Sequence, residues 1–156
     1  MKILVVFDSF FGNTEQVARA VGEALAARGE VTVTRVSELQ AGQLEGLDLL
    51  VVGSPTRAFR PSPNTQAFLK GLAPGSLRGV KAAAFDTRID PADTNSGFLR
   101  VMVKLFGYAA EPMAGALRKK GAAPAGTPAG FFVKDSEGPL REGELERAQS
   151  WADGLE

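Results

Sequence analysis

The chain contains neither cysteine nor histidine, and these two absences exclude much of enzyme chemistry. Without cysteine there are no disulfides and no thiolate nucleophile. Without histidine there is no Ser-His-Asp triad, no histidine ligand for haem and none of the usual zinc sites. Neither sign of charge is in excess, because 18 lysines and arginines balance 18 aspartates and glutamates. The composition therefore argues against binding to nucleic acid, and it is typical of proteins in which an organic cofactor carries the chemistry.

Long apolar runs are also absent. The run that opens the chain, residues 2–7, is too short for a signal peptide, and no run approaches the roughly 20 residues of a membrane span. We therefore expect a cytoplasmic protein without a transmembrane segment. A length of 156 residues, of which 44% are hydrophobic, predicts one domain over residues 1–156 with a sizeable core.

Segments with the patterns of strands and helices alternate along the chain. Apolar or alternating runs predict strands at residues 3–7, 31–36, 47–53, 80–85 and 130–133. Periodic apolar residues predict helices at residues 14–27, 63–71, from 111 onward and 142–155, with a short or irregular helix within 37–47. Such alternation predicts an α/β fold with a parallel sheet and helices on both faces.

The turn between the first strand and the first helix has the features of a phosphate-binding loop. A helix start leaves about four backbone N–H groups unpaired and carries the positive end of the helix dipole. Ser9, Asn13 and Thr14 add donors, and Gly12 allows close approach of the backbone. The Gly-x-Gly-x-x-Gly fingerprint of dinucleotide sites is missing, and no Gly-Lys-Ser/Thr follows Gly12. The alternative is an ordinary βα turn that is rich in small polar residues.

Two further polar segments follow predicted strands, at residues 54–59 and 86–90. Ligands of open parallel sheets bind outside the carboxyl ends of the strands, so we expect these segments and the first loop to converge on one site. Taken alone, residues 56–59 could be any connection, and residues 86–88 could cap a helix.

The spacing of Phe7, Ser9, Gly12, Thr14, Ala18 and Val21 resembles the signature of the flavodoxin family, and the resemblance covers nearly the whole chain. It implies a flavodoxin-like doubly wound, five-stranded parallel sheet of order 2-1-3-4-5, with FMN as cofactor and no metal. By this resemblance the first loop holds the FMN phosphate through Ser9, Phe10, Phe11, Gly12, Asn13 and Thr14. The isoalloxazine is flanked by Pro55, Thr56, Arg57, Ala58 and Phe59 on one side and by Asp86, Thr87 and Arg88 on the other.

The chain departs from the family pattern at the flavin ring. Relatives commonly place a tryptophan in the second loop and a tyrosine in the third, whereas this chain has Arg57 in the second loop and no aromatic residue in the third. Trp151 has helical spacing with other apolar residues, which favours a core role. Relatives are also strongly acidic, whereas this chain is neutral.

The resemblance implies low-potential, single-electron transfer between redox partner proteins, a reductase and an acceptor, with no catalytic side chain. An electron carrier is favoured over a stand-alone enzyme. One alternative is an FMN-dependent oxidoreductase of the quinone or protoporphyrinogen dehydrogenase type. Another is an interaction module that has lost the flavin.

Residues 98–108 form an additional apolar segment. Arg100 and Lys104 leave only one narrow polar stripe, so most of its circumference is apolar. Either neighbouring elements bury the segment, or it contacts a partner, a second subunit or a lipid-soluble substrate.

Overall fold

A parallel sheet forms the centre of the computed structural model, which describes residues 1–90, 97–98, 100–101 and 107–156. Its strands are β1 (Lys2–Phe7), β2 (Glu30–Arg35), β3 (Leu49–Pro55), β4 (Lys81–Ile89), β5 (Ala123–Pro124) and β6 (Ala129–Val133). The sheet order is β2-β1-β3-β4-β5, with β6 also paired to β4. The core of the sheet therefore has the order 2-1-3-4-5 that the sequence predicts.

The edge strand beside β4 is split into two segments. β5 pairs with Lys81 and Ala82, and β6 pairs with residues Phe85 to Ile89 further along the same edge. Both pairings are parallel, so β5 and β6 together occupy the fifth strand position. The predicted fifth strand, residues 130–133, corresponds to β6.

The longer helices in the described part of the chain are α1 (Asn13–Leu25), α2 (Pro63–Gly71), α3 (Ala110–Lys119) and α4 (Glu144–Asp153). Side chains of a strand point alternately to opposite faces, and β1 follows this rule. Ile3, Val5 and Phe7 join the core that contains residues of α1 and α4, while Leu4 and Val6 join the core that contains residues of α2 and α3. Two 3-10 turns, Val36–Glu38 and Ala41–Leu44, replace the irregular helix predicted there.

The fourth strand is longer than the sequence interpretation allows. That interpretation ended the strand at Phe85 and treated residues 86–90 as a loop, whereas β4 continues through Ile89. The reason is pairing on both sides, because Asp86 lies between Ser54 of β3 and Gly130 of β6. Polar side chains therefore do not end this strand, since its backbone groups are paired by both neighbours.

Three aromatic rings form a triangle in the core on the α1 and α4 side. Phe85, Phe131 and Trp151 meet edge to face, with ring centroids 5.9 to 6.1 Å apart. The indole Nε1 of Trp151 donates to the carbonyl oxygen of Thr127 at 2.9 Å. Trp151 thus has the core role that its helical spacing indicates.

Within the described ranges, no helix is long and apolar enough to cross a membrane.

Of the additional apolar segment, residues 99 and 102–106 lie outside the described part of the chain. Residues 97, 98, 100 and 101 are helical. The side chains of Phe98 and Val101 are 74% and 55% exposed.

Substitution of Gly53 by alanine is expected to destabilise the fold, because the new Cβ would lie 2.1 Å from the ring of Phe85. Overpacking of a core typically costs about 1 to 3 kcal/mol. The measurement is urea unfolding of the parent and the variant. Gly115→Ala is the matched control, because nothing lies within 4 Å of its added Cβ and alanine favours a helix. A Gly53→Ala variant as stable as the control would contradict this packing.

Candidate functional site

The loops after β1 and β3, the end of β4 and the turn after β6 converge on one cleft at the carboxyl edge of the sheet. This carboxyl-edge cleft has a volume of about 340 Å³, within the range of small-molecule sites. It is lined by Ser9, Phe10, Phe11, Asn13, Thr14, Pro55, Thr56, Arg57, Thr87, Arg88, Ile89, Val133, Ser136 and Glu137. The three polar segments that we expected to converge therefore do meet at one cleft.

The start of α1 opens into this cleft without a side-chain cap. Gly12 is its N-cap residue, and its φ of +90° is a backbone conformation that favours glycine. Among the described residues, no hydrogen bond satisfies the N–H groups of Asn13, Thr14 and Glu15. No atom of the described residues lies within 4 Å of the position where a Cβ on Gly12 would stand. The helix start therefore offers unpaired donors beside open space, as an anion site requires.

Three hydroxyl groups stand in the same cleft and keep hydrogen-bonding capacity. The hydroxyl of Ser9 accepts the N–H of Gly12 at 3.1 Å, which leaves its own hydrogen free to donate. The hydroxyls of Thr14 and Thr87 lie 2.8 Å apart, so one of them donates to the other. The hydrogen that remains on this pair is available to a ligand.

Two arginines balance the only acidic residue in the first turn of α1. Glu15 pairs with Arg19 at 2.8 Å and with Arg35 at 2.9 Å. Arg35 also donates to the carbonyl oxygen of Ser9 at 2.9 Å, which ties the first loop to β2. The carboxylate of Glu15 thus does not leave an unbalanced negative charge at the helix start.

The second loop contains a tight two-residue turn at the rim of the cleft. Arg57 and Arg60 exchange two backbone hydrogen bonds of 2.8 and 2.9 Å. Ala58 and Phe59 between them have φ of +48° and +68°, the geometry of a type I′ turn that favours Asn and Gly. The guanidinium of Arg57 lies 4.7 Å from the ring centroid of Phe10.

Ala58 and Phe59 lie at a different cavity, although the sequence predicts them in the flavin site. They line a cavity of about 590 Å³ between this turn, α2 and α3, which we call the α2–α3 cavity. Gly12 is also absent from the cleft lining, but it forms the N-cap of the helix that opens there.

The buried carboxylate of Asp86 forms an ion pair with the partly exposed Arg88 at the end of β4. The guanidinium of Arg88 donates to both carboxylate oxygens at 2.6 and 2.7 Å and stacks 3.8 Å from the ring centroid of Tyr108. Asp86, which the sequence also predicts as a cofactor contact, accepts the N–H of Ala110 at the start of α3 at 2.8 Å. Burial raises the pKa of Asp86, although Arg88 and this N–H oppose the increase. Arg88 alone of the pair lines the cleft.

The sequence interpretation missed the turn after β6. Ser136 and Glu137 line the cleft, and the carbonyl oxygen of Glu137 accepts the side-chain amide of Asn13 at 3.0 Å. A Cβ on Gly138, where φ is +106°, would lie 2.6 Å from the Asn13 amide oxygen. The signal was present, since this turn follows the carboxyl end of a predicted parallel strand.

Asp8, the residue that follows β1, was also missed. Its Oδ1 accepts the N–H of Ser9 at 3.0 Å, while its buried Oδ2 has no partner among the described residues. Asp8 lines a third cavity, which shares Phe10 and Arg57 with the carboxyl-edge cleft. Buried acceptors are normally satisfied, so Oδ2 is an acceptor for water or a ligand hydroxyl. The described residues contain no cluster of acidic side chains that could hold a metal ion.

The fold and the cleft together define a doubly wound α/β protein with an anion-binding helix start at the carboxyl edge of its sheet. A sequence model described as Flavodoxin matches residues 5–123, which is most of the chain. The chain belongs to the flavodoxin family. FMN is accordingly its cofactor.

Solved structures share the fold of this chain, and a curated protein shares part of its sequence. Oxidised flavodoxin 2 from Bacillus cereus superimposes with a TM-score of 0.78 at 23% identity, covering 99% of this chain and 97% of that one. Oxidised flavodoxin 1 from the same organism gives 0.76 at 19% identity, covering 99% and 96%. An NAD(P)H dehydrogenase (quinone) from Acidovorax ebreus (strain TPSY) is 34% identical over 109 residues, covering 54% of this chain and 54% of that protein. The chain thus matches about half the length of that curated relative.

The residues present fit the phosphate of FMN. The cleft offers unpaired N–H groups at the start of α1, hydroxyl donors from Ser9 and the Thr14–Thr87 pair, and open space at Gly12. A phosphate accepts such donors, and the helix dipole favours its charge.

Proposed function

We propose that residues 1–156 form one FMN domain that carries single electrons between a reductase and an acceptor protein. The observation that carries the proposal is the uncapped start of α1, which opens into the cleft where the loops converge. Bound FMN supplies the one-electron chemistry, and the protein binds and orients it. A cytoplasmic location belongs to the same proposal, and fractionation of cells tests it.

In this proposal the first loop holds the phosphate, through Ser9, Phe10, Phe11, Gly12, Asn13 and Thr14. The ring lies between Pro55, Thr56 and Arg57 on one side and Thr87 and Arg88 on the other, all of which line the cleft. Asp86 acts through Arg88, which it holds by two hydrogen bonds. Ala58 and Phe59 act by shaping the turn that presents Arg57.

The rim of the cleft suits contact with a partner protein. Phe10 and Phe11 are 46% and 52% exposed, and Arg57 is exposed beside them. Aromatic residues and arginine are the side chains enriched where proteins bind each other. These residues therefore provide a contact surface at the place where electrons enter and leave.

The phosphate site predicts a strong preference for FMN over riboflavin. Charge-assisted hydrogen bonds contribute about 1.5 to 3 kcal/mol each, so the phosphate should improve affinity by orders of magnitude. Thr14→Val should reduce the ratio of FMN to riboflavin affinity by about tenfold, because it removes one hydroxyl from the Thr14–Thr87 pair. Fluorescence titration of the apoprotein with each flavin measures this ratio.

Thr32→Val is the matched control, because Thr32 is exposed on β2 and lines none of the cavities described above. It should leave the ratio unchanged. Equal affinities of the parent for FMN and riboflavin would contradict the placement of the phosphate.

A second candidate function is the reduction of quinones. It is favoured by the 34% identity to the NAD(P)H dehydrogenase (quinone), which extends over only part of each chain. The two functions differ in what the purified protein does alone. A carrier depends on a separate reductase, whereas a quinone reductase accepts electrons directly from the pyridine nucleotide.

We expect the FMN-loaded protein to reduce a quinone with NADPH or NADH only after a flavoprotein reductase is added. The assay follows oxidation of the pyridine nucleotide with and without that reductase, with free FMN at the same concentration as the blank. Multiple turnovers without the added reductase would contradict the proposal of an electron carrier and support a quinone reductase.

We further propose that part of residues 98–108 is a contact surface between copies of the chain. Phe98 and Val101 both stand at helical positions, and their side chains are 74% and 55% exposed, which supports this proposal. Large apolar side chains this exposed are characteristic of interaction sites when they lie together.

Replacing Phe98 and Val101 together by serine should weaken self-association without loss of stability, because both side chains are exposed. Sedimentation equilibrium over a range of protein concentrations measures the association. Leu145→Ser is the control, since Leu145 is a 37% exposed apolar residue on α4. A parent chain that stays monomeric throughout would exclude this contact.

A further inference from the structure

The α2–α3 cavity lies beside the flavin site, and it has walls of its own. The turn at residues 58–61 forms one side, and α2 and α3 form the others. Its volume of about 590 Å³ is larger than the 340 Å³ of the carboxyl-edge cleft. Gln66 of α2 donates from its side chain to the carbonyl oxygen of Pro61 at 2.7 Å, which fixes the turn against the helix.

The lining of this cavity combines apolar walls with positive charge. The apolar side chains are Ala58, Phe59, Pro61, Leu69, Pro112, Met113 and Ala116. The charged residues are Arg60 and Lys70, and the described lining includes no acidic side chain. Binding sites for small molecules commonly have this composition, in which a few polar groups orient a largely apolar ligand.

Arg60 and Lys70 are exposed, and neither forms an ion pair with a described residue. Two exposed cations beside one apolar cavity attract a ligand with a negative group. The same negative group would gain charge-assisted hydrogen bonds from the guanidinium and the ammonium. The positive charge of Arg60 and Lys70 and the apolar walls of the cavity together favour a ligand with an apolar body and a negative group.

A third cavity, the one that Asp8 lines, lies between the α2–α3 cavity and the carboxyl-edge cleft and shares lining residues with both. That cavity shares Ala58, Arg60, Pro61 and Gln66 with the α2–α3 cavity, and it shares Phe10 and Arg57 with the carboxyl-edge cleft. The turn at residues 57–60 contributes Arg57 to the carboxyl-edge cleft and Ala58, Phe59 and Arg60 to the α2–α3 cavity. Ligands in the two sites would therefore contact the same turn.

We propose that the α2–α3 cavity binds a small amphipathic anion, with an aromatic or other apolar body against Phe59 and α3 and an anionic group near Arg60 and Lys70. The site is distinct from the FMN site, and its occupation does not depend on whether the protein is an electron carrier or a quinone reductase.

The test is calorimetric titration of the FMN-saturated protein with 8-anilinonaphthalene-1-sulfonate, a probe with an aromatic body and one negative group. One saturable site is expected, and the neutral sulfonamide analogue should bind more weakly. Arg60→Gln combined with Lys70→Gln should weaken binding of the sulfonate by about fivefold or more, whereas it should affect the sulfonamide little. Lys119→Gln is the charge control, because Lys119 is exposed on α3 and lies outside the lining.

A second pair of variants tests the apolar wall. Phe59→Gly removes the aromatic ring, and glycine readily adopts the positive φ at this position. Ala58→Gly is the control, because it also places glycine at a positive φ but removes no ring. Only Phe59→Gly should weaken binding of the probe. FMN affinity is measured for each variant so that saturation is maintained.

Absence of a saturable site, or equal binding to the parent and the double charge variant, would overturn the proposal. So would displacement of the probe by FMN, because the probe would then lie in the flavin cleft. None of these results alters the preference for FMN over riboflavin, so the two proposals can fail separately.

Discussion

Parallel pairing of β1, β3 and β4 is the constraint on which the site depends. Because these strands run in the same direction, their carboxyl ends lie at one edge, and each must continue into a loop at that edge. The register places Phe7 beside Gly53 and Gly53 beside Phe85. From this level β1 ends, β3 continues to Pro55 and β4 continues to Ile89, so the chain leaves the edge at three staggered heights and a cleft forms between them.

The ion pair of Asp86 and Arg88 gives the cleft its fixed wall. Asp86 is fully buried, and a buried charge without a partner would cost several kcal/mol. Arg88 provides that partner while its own plane rests on Tyr108. A Cβ on Gly130 would lie 2.0 Å from the guanidinium, so the absence of a side chain there makes room for it. One interaction thus joins β4, β6 and the start of α3.

The sequence was informative where local physics decides the structure. Apolar runs identified the buried strands, and the hydroxyl of Ser62 followed by Pro63 identified the start of α2, where Ser62 accepts the N–H of Thr65 at 3.3 Å. The first loop could be predicted because it is adjacent in sequence to the helix that follows it, so one local pattern contains both. Most of the predicted site residues do line the cleft.

The remaining features depend on contacts between distant segments, which a local pattern does not encode. Asp86 looks like a loop residue until pairing on both sides of β4 is known. Glu137 reaches the site only because the turn after β6 folds back onto Asn13, 124 positions earlier. Ala58 and Phe59 give no sign of a type I′ turn, since neither is a residue that such turns favour.

The division of the edge strand into β5 and β6 also makes residues 126–128 a permissive place for new sequence. Each segment has its own pairing with β4, so neither depends on the length of the chain between them. Lengthening a flexible loop costs only about 0.6 kcal/mol for each doubling. The insertion must spare Ala125, which is buried and bonded to Ala82 and Glu156, and it puts at risk the bond from Trp151 to Thr127. A reporter peptide or a whole domain inserted here would lie along the edge of the sheet, with the cofactor loops unchanged.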